Sequence, residues 1–185
     1  RKNSHKIIGS RSFSSNPKDV SFLGNLCINL CSKNRIGTVI KHIPGHGLSK
    51  LDSHKNKPTI YKNKKYLTKN DFNVFKSCKS PFAMTAHVVF NSYDNKNVAT
   101  HSKKIIKNII RKFINFKGIL ISDDISMKSL QYGLEENAIK SLNAGCNLVL
   151  HCNGKMKEMK RLAKVIPNID KFTQKKTSQF YNFLS

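Results

Sequence analysis

Residues 41–54 read KHIPGHGLSKLDSH and hold three of the seven histidines of a 185-residue chain, with Asp52 two positions before the last of them. Imidazole titrates near neutral pH, so a histidine cluster suits metal ligation or proton transfer. Pro44, Gly45 and Gly47 keep the middle of the stretch out of any regular element. It reads as a loop leaving a strand, which is where α/β proteins keep their chemistry. Three chemistries compete there. A zinc pair at His42 and His46 needs a helix to present both ligands together, and Pro44 with Gly45 forbids one. A phosphate loop needs GxxxxGK[ST], and that pattern is absent. The third is an acid/base dyad. In an extended Asp52-Ser53-His54 segment the two outer residues project to the same side, so the carboxylate can fix the imidazole tautomer and favour its protonated form. Taken alone, an Asp-x-His pair is more often a solvated surface contact than a catalytic one.

The elements that must position such a loop alternate in type. HKIIGS (5–10), GTVIKHI (37–43), SPFAMTAHVVF (80–90), GILISDD (118–124) and NLVLHC (147–152) read as strands. Asn16-Pro17 opens a helix with Val20, Leu23, Cys27 and Leu30 on one face. Thr68 and Asp71 resemble a capping box for a short helix carrying Phe72 and Phe75. Residues 101–116 form an amphipathic helix with Ile105, Ile106, Ile109, Ile110 and Phe113 on its apolar side. A helix over 134–146 stops at Gly145, another covers 155–165, and the tail from Asp170 is helical. Strands alternating with helices mean a parallel sheet. Each strand ends in polar, potentially reactive residues: Lys41-His42, Thr85-Ala86-His87, Ser122-Asp123-Asp124 and His151. That distribution favours an α/β (β/α)8 TIM barrel, with its site at the strand C-termini, over a doubly wound sheet with one switch point. Four or five strands are too few to close one, so the expected fold is an incomplete barrel, its C-terminal half to two-thirds.

Lys and Arg number 34 against 10 Asp and Glu, a formal charge of +24. Such an excess suggests nucleic acid or an anionic membrane as partner. The detail argues otherwise, because only five of the cations are Arg and no aromatic stripe interleaves with them. A lysine-biased surface is the simpler reading, and neither nucleic acid nor membrane is an expected partner. No apolar run approaches the ~18–20 residues that span a bilayer, and no signal peptide is visible. Five cysteines form an odd set without small-scaffold spacing, which points to a reducing compartment. Cys27 and Cys31, one turn apart, fit a buried apolar helix face better than a metal pair.

In combination the motifs are more specific than any one alone. KHIPGHG followed by DSH, with ILISDDISM, IGSRSFSSNP, SPFAMTAHVVF and SLNAGCNLVLHCN in that set, resembles the family 3 glycoside hydrolases, in the branch of bacterial β-N-acetylglucosaminidases of cell-wall recycling. The resemblance spans nearly the whole chain and implies that residues 1–185 are part of that family's catalytic barrel domain. It implies Asp123 as nucleophile, His54 as general acid/base oriented by Asp52, and Arg11, Lys41 and His42 as the grip on the sugar. Asp124 would be secondary, or else simply a helix-capping carboxylate, and His46 would shape the loop. His87 has equal claims as pocket lining or bystander, while His5, His101 and His151 carry no motif. The resemblance further implies a cytoplasmic enzyme with no metal or cofactor. It would be a monomer at full length, releasing terminal β-N-acetylglucosamine from muropeptides or anhydro-muropeptides. Retention would follow from two displacements, with a histidine in place of the usual second carboxyl group.

Ile43 stands where the branch usually has Phe, and Ser10 where it usually has an acid. The branch's Asp-Gln-Glu-Gly-Gly segment and a sugar-gripping aspartate would lie in more than a hundred further residues upstream, and this chain begins with Arg. The rival reading is a non-catalytic basic module that binds nucleic acid or another anionic polymer. Expressed alone, residues 1–185 are expected to be loosely folded or aggregation-prone and to lack glycosidase activity, because an uncovered barrel interior forfeits several burials of roughly 1.5–3 kcal/mol each. Size exclusion and a hydrolysis assay on that segment check this; a soluble monomer with turnover would refute it.

Overall fold

The computed structural model describes residues 9–49 and 58–185. Asn16 accepts a hydrogen bond from the Lys18 amide and Pro17 takes the first helical position, so helix α1 (Pro17–Lys33) starts where its sequence signals place it. Strand β1 (Val39–Ile43) follows. After it come β2 (Thr59–Ile60), β3 (Phe82–Thr85), β4 (Val89–Phe90), β5 (Ile119–Asp124) and β6 (Leu148–Leu150). Four of these form one sheet in the order β1-β3-β5-β6, and β2 pairs with β4 in a separate ribbon. Every pairing is parallel. The strands of the larger sheet run in spatial and sequential order with helices between them, which is the incomplete (β/α)8 arrangement the sequence predicts.

Helix α3 (Leu134–Ala144) ends on Gly145 at φ 117°, where a Cβ would sit 2.9 Å from the Ile106 side chain. Helix α4 (Met156–Val165) buries only Leu162 and turns Lys157, Lys160 and Lys164 outward. Helix α5 (Lys171–Leu184) is capped by Asp170, whose carboxylate accepts the Thr173 amide at 2.6 Å. It crosses the N-terminal ends of the strands. Phe180 meets Phe82 edge-on at 4.8 Å, and the same ring lies where any side chain at Gly37 would have to go. Asn147 ties this end together: its Oδ1 accepts from Arg111 Nη2 at 2.7 Å and from the Leu120 amide at 2.9 Å, while its Nδ2 donates to Thr173 Oγ1 at 3.0 Å.

Several sequence expectations change. Residues 9 and 10 of the first strand candidate belong to a 3-10 turn (Gly9–Arg11), and residues 5–8 lie outside the described residues. Thr68 does not open a helix as an N-cap but follows one as its C-terminal cap. The helix begins earlier, at α2 (Lys64–Leu67) with Asn63 as its cap, and runs on through a π turn (Thr68–Phe72) and a 3-10 turn (Asn73–Ser77). The Thr68 hydroxyl instead lies 3.1 Å from the Tyr93 hydroxyl. The amphipathic segment buries Ile105, Ile106, Ile109 and Ile110 as expected, but over Ile105–Phe113 it is a π-helix. On α1 the buried position is Ile28; Cys27 and Leu30 are exposed and Cys31 is half-buried. The Cys27–Cys31 face is therefore not core. All five thiols are free.

The main core lies between the sheet and its helices and includes Ile43, Leu67, Phe72, Ala83, Phe90, Ile110 and Leu120. Phe72 is fully buried and meets Phe90 edge-on at 5.4 Å and Tyr93 at 5.5 Å, so it joins the helix after β2 to the strand β4. Truncating a buried phenylalanine leaves a cavity that close-packed neighbours cannot fill, and Phe72→Ala is expected to lower stability by about 3–5 kcal/mol. Denaturant titration of the full-length protein against its parent measures the loss.

Candidate active site

Parallel pairing puts the C-terminal ends of β1, β3, β5 and β6 on one side of the sheet, and the polar strand ends gather there. The ladder is regular except at two places. Between Lys41 and Ile43 the partner on β3 advances by only one residue, from Met84 to Thr85. Between Ile121 and Asp124 the partner on β6 advances from Leu148 to Leu150, two residues against three. The extra residues fall at His42 and within Ser122-Asp123. A bulge turns a side chain away from the strict alternation of a strand, and here both bulges coincide with sequence-designated site residues.

The result is a meeting of β1 with β5, although β3 lies between them. His42 Nε2 stands 3.6 Å from Asp123 Oδ2, both side chains about one-sixth exposed. That separation is beyond hydrogen-bond length. Asp123 Oδ1 accepts the Asp124 amide at 2.9 Å, so one oxygen is tied to the main chain and the other faces the imidazole. Asp124 is spent differently. Its Oδ1 accepts the amides of Ser126 and Cys152 at 3.1 and 3.2 Å, and its Oδ2 accepts the Ser126 hydroxyl at 2.7 Å. It caps the turn after β5, which agrees with the secondary role expected from the sequence. Of the two neighbouring carboxylates, Asp123 is the one with an oxygen turned to His42.

His46 is buried and its ring centroid lies 5.5 Å from that of His42. The adjacent Gly45 leaves little room for a side chain, since a Cβ would come 3.0 Å from Asp71. Lys41 and Arg11 are exposed, Arg11 at the end of the 3-10 turn Gly9–Arg11. A cavity of about 500 Å³ opens beside β1, with Arg11, Lys41, His42 and His46 at its polar end and Val20, Phe75 and Cys78 deeper in. Among the described residues Asp123 is not part of its wall, while His42 lines it and faces Asp123. Asp52 and His54, the expected acid/base dyad, lie outside the described residues. Among the described residues no group of three His, Cys, Asp or Glu side chains could hold a metal.

Burial pushes the His42 imidazole down to about 4; the Asp123 carboxylate opposes this, and the charges of His46, Lys41 and Arg11 add to it. His42 is therefore neutral at pH 7. Cys152 is near the carboxylates, and burial together with Asp124 and Asp123 holds its thiol above the ordinary value, so it stays protonated.

The structure gives two further histidines their partners. His87 is fully buried; its Nε2 is 3.0 Å from the Asp124 carbonyl and its Nδ1 is 2.7 Å from Thr100 Oγ1. His151 Nε2 pairs with Glu158 Oε2 at 2.9 Å, a structural contact. The strand-end position of His87 was a sequence signal, but Thr100 and Glu158 carried none.

A depressed histidine pKa destabilises the fold in acid. Between pH 6.5 and about 4 the unfolded chain binds a proton at His42 that the folded chain refuses, so stability falls as pH falls through this window and is unaffected above it. Burial lowers the pKa of His87 as well, with the same sign. Urea unfolding at pH 7 and pH 4.5 is expected to show the drop in the parent and a shallower one in His42→Gln.

The family described as glycosyl hydrolase family 3 N terminal domain matches residues 1–179. Among curated relatives, a beta-hexosaminidase of Photobacterium profundum is 32% identical over 189 residues, covering 97% of this chain and 56% of its own length. A beta-hexosaminidase of Haemophilus influenzae is 34% identical over 170 residues, covering 89% and 47%. The chain thus spans about half the length of these relatives. The crystal structure of NagZ from Neisseria gonorrhoeae in complex with N-trifluoroacetyl-D-glucosamine superposes with a TM-score of 0.85 at 29% identity, over 96% of this chain and 52% of that one. With the parallel sheet, its strand-end site and these matches together, the chain belongs to the glycosyl hydrolase family 3 N-terminal-domain family.

Proposed function

We propose that the full-length protein carrying this chain is a retaining β-N-acetylglucosaminidase, and that residues 1–185 contribute part of its catalytic barrel. The observation that carries the reading is the bulged pair of strand ends that brings Asp123 within 3.6 Å of His42. The names of the relatives, beta-hexosaminidases and a NagZ bound to an N-acylated glucosamine, supply the substrate class.

In the first step Asp123 Oδ2 attacks the anomeric carbon and forms a glycosyl ester as the bond to the leaving oxygen breaks. His54, oriented by Asp52, gives that oxygen its proton. In the second step the now neutral His54 takes a proton from water, which attacks the anomeric carbon and frees Asp123. Imidazole serves both halves because it titrates near the working pH. Neutral His42 orients the carboxylate and the sugar without pairing off the charge that must attack. Arg11 and Lys41, on the cavity rim, hold sugar hydroxyls or an attached carboxylate. The substrate proposed is a muropeptide or anhydro-muropeptide met in the cytoplasm during cell-wall recycling, and the protein acts as a monomer without metal or cofactor.

A chromogenic β-N-acetylglucosaminide assay on the full-length protein tests the reading. Turnover is expected in the parent, and Asp123→Ala is expected to lose at least about a thousandfold in kcat, a loss of the scale seen when a covalent nucleophile is removed. Equal turnover by both proteins would end the nucleophile assignment.

A further inference from the structure

The carboxylate of Asp123 is held by the amide of Asp124, so whatever fixes residue 124 bears on the attacking group. The Asp124 amide donates to Asp123 Oδ1. The carbonyl at the other end of the same residue lies 3.0 Å from Nε2 of His87, a ring with no solvent exposure reaching across from the end of β3. A carbonyl only accepts, so Nε2 carries a proton. Burial disfavours the charged imidazolium, although Asp123 favours it. With one proton to place, Nδ1 has a lone pair and accepts from Thr100 Oγ1 at 2.7 Å, the shorter contact of that hydroxyl, whose other acceptor is the Ala86 carbonyl at 3.2 Å. Thr85 Oγ1, 2.8 Å from Thr100 Oγ1, then donates to it. The three side chains form a one-way chain from Thr85 through Thr100 and His87 to the Asp124 carbonyl, and Thr85, Thr100 and His87 all have no solvent exposure.

We infer that His87 is a positioning residue for the reaction: as a neutral Nε2–H donor it clamps the Asp124 carbonyl and thereby sets the direction of the Asp123 carboxylate. The inference rests on the reading of Asp123 as nucleophile. A buried hydrogen bond that merely supported the fold would leave the chemistry of a folded variant unchanged. A clamp on the residue whose amide holds the nucleophile acts on the bond-making step, since a misplacement of 1 Å can cost on the order of a hundredfold.

The test uses the full-length protein and four variants: His87→Leu, His87→Gln, Thr100→Val and Asp123→Ala. In folded His87→Leu, kcat is expected to fall about ten- to a hundredfold with KM within about twofold, because the sugar grip is untouched. His87→Gln, whose amide can still donate to the carbonyl, is expected to recover most of the loss. Nitrogen-15 spectra of the histidine-labelled parent, assigned with His87→Gln, are expected to show the neutral Nε2–H tautomer. Should His87→Leu fail to fold, Thr100→Val decides, since it removes the partner of Nδ1 and keeps the ring: a fall in kcat at constant KM supports the clamp. Unchanged kcat in that variant or in folded His87→Leu, a loss confined to KM, or an Nδ1–H tautomer would each overturn it. Turnover surviving in Asp123→Ala would instead overturn the nucleophile reading, so the two failures are distinct.

Discussion

Everything at the candidate site follows from the parallel ladder of β1, β3, β5 and β6 and from where it breaks its own period. A parallel sheet aligns strand ends, and that alone delivers Lys41, Thr85, Asp124 and Leu150 to one side. Strict alternation would then assign each side chain to one face of the sheet or the other. The irregularities at His42 and Ser122-Asp123 relax that rule where two functional groups on non-adjacent strands must meet. Regular pairing carries the fold, and the two departures from it carry the chemistry.

Around those departures the backbone is held by other backbone and by buried side chains. The Asp124 carboxylate gathers the amides of Ser126 and Cys152, and its carbonyl takes the proton of His87. The Ser122 hydroxyl accepts the Leu150 amide, which would otherwise lack its ladder partner at the bulge. At the β5 bulge these polar groups therefore find their partners within the protein. At the opposite end, Phe180 and Asn147 bind α5 to the strand starts, so the sheet is anchored where it does no chemistry.

Much of this was legible in the sequence. The helix starts at Asn16-Pro17 and Asp170, the stop at Gly145 and the burial of Ile105, Ile106, Ile109 and Ile110 follow from local rules, and local rules sufficed. Strand ends rich in polar residues pointed to Lys41, His42 and Asp123 as one site, and the structure brings His42 and Asp123 together while setting Asp123 apart from the cavity that Arg11, Lys41 and His42 share. The bulges were not legible, because a bulge is a relation between two strands and neither sequence states it. Nor was the setting of His87, whose partners are a threonine thirteen residues on and a carbonyl thirty-seven residues on. The exposure of Cys27 and Leu30 escaped for a related reason: periodicity identifies an apolar face but not whether a neighbour covers it.

The outward lysines of α4 have their own consequence. Cations outnumber carboxylates 34 to 10, and carboxylates such as Glu135 and Glu158 already face Arg161 and Lys155 across ion pairs. The folded chain therefore works against its own repulsion, which acts over a Debye length of about 8 Å at physiological ionic strength. Dissolved salt relieves that repulsion and firms the fold. The same ions also screen the attraction that Arg11 and Lys41, on the rim of the cavity, exert on any anionic ligand. Cohesion and capture thus respond to ionic strength in opposite directions.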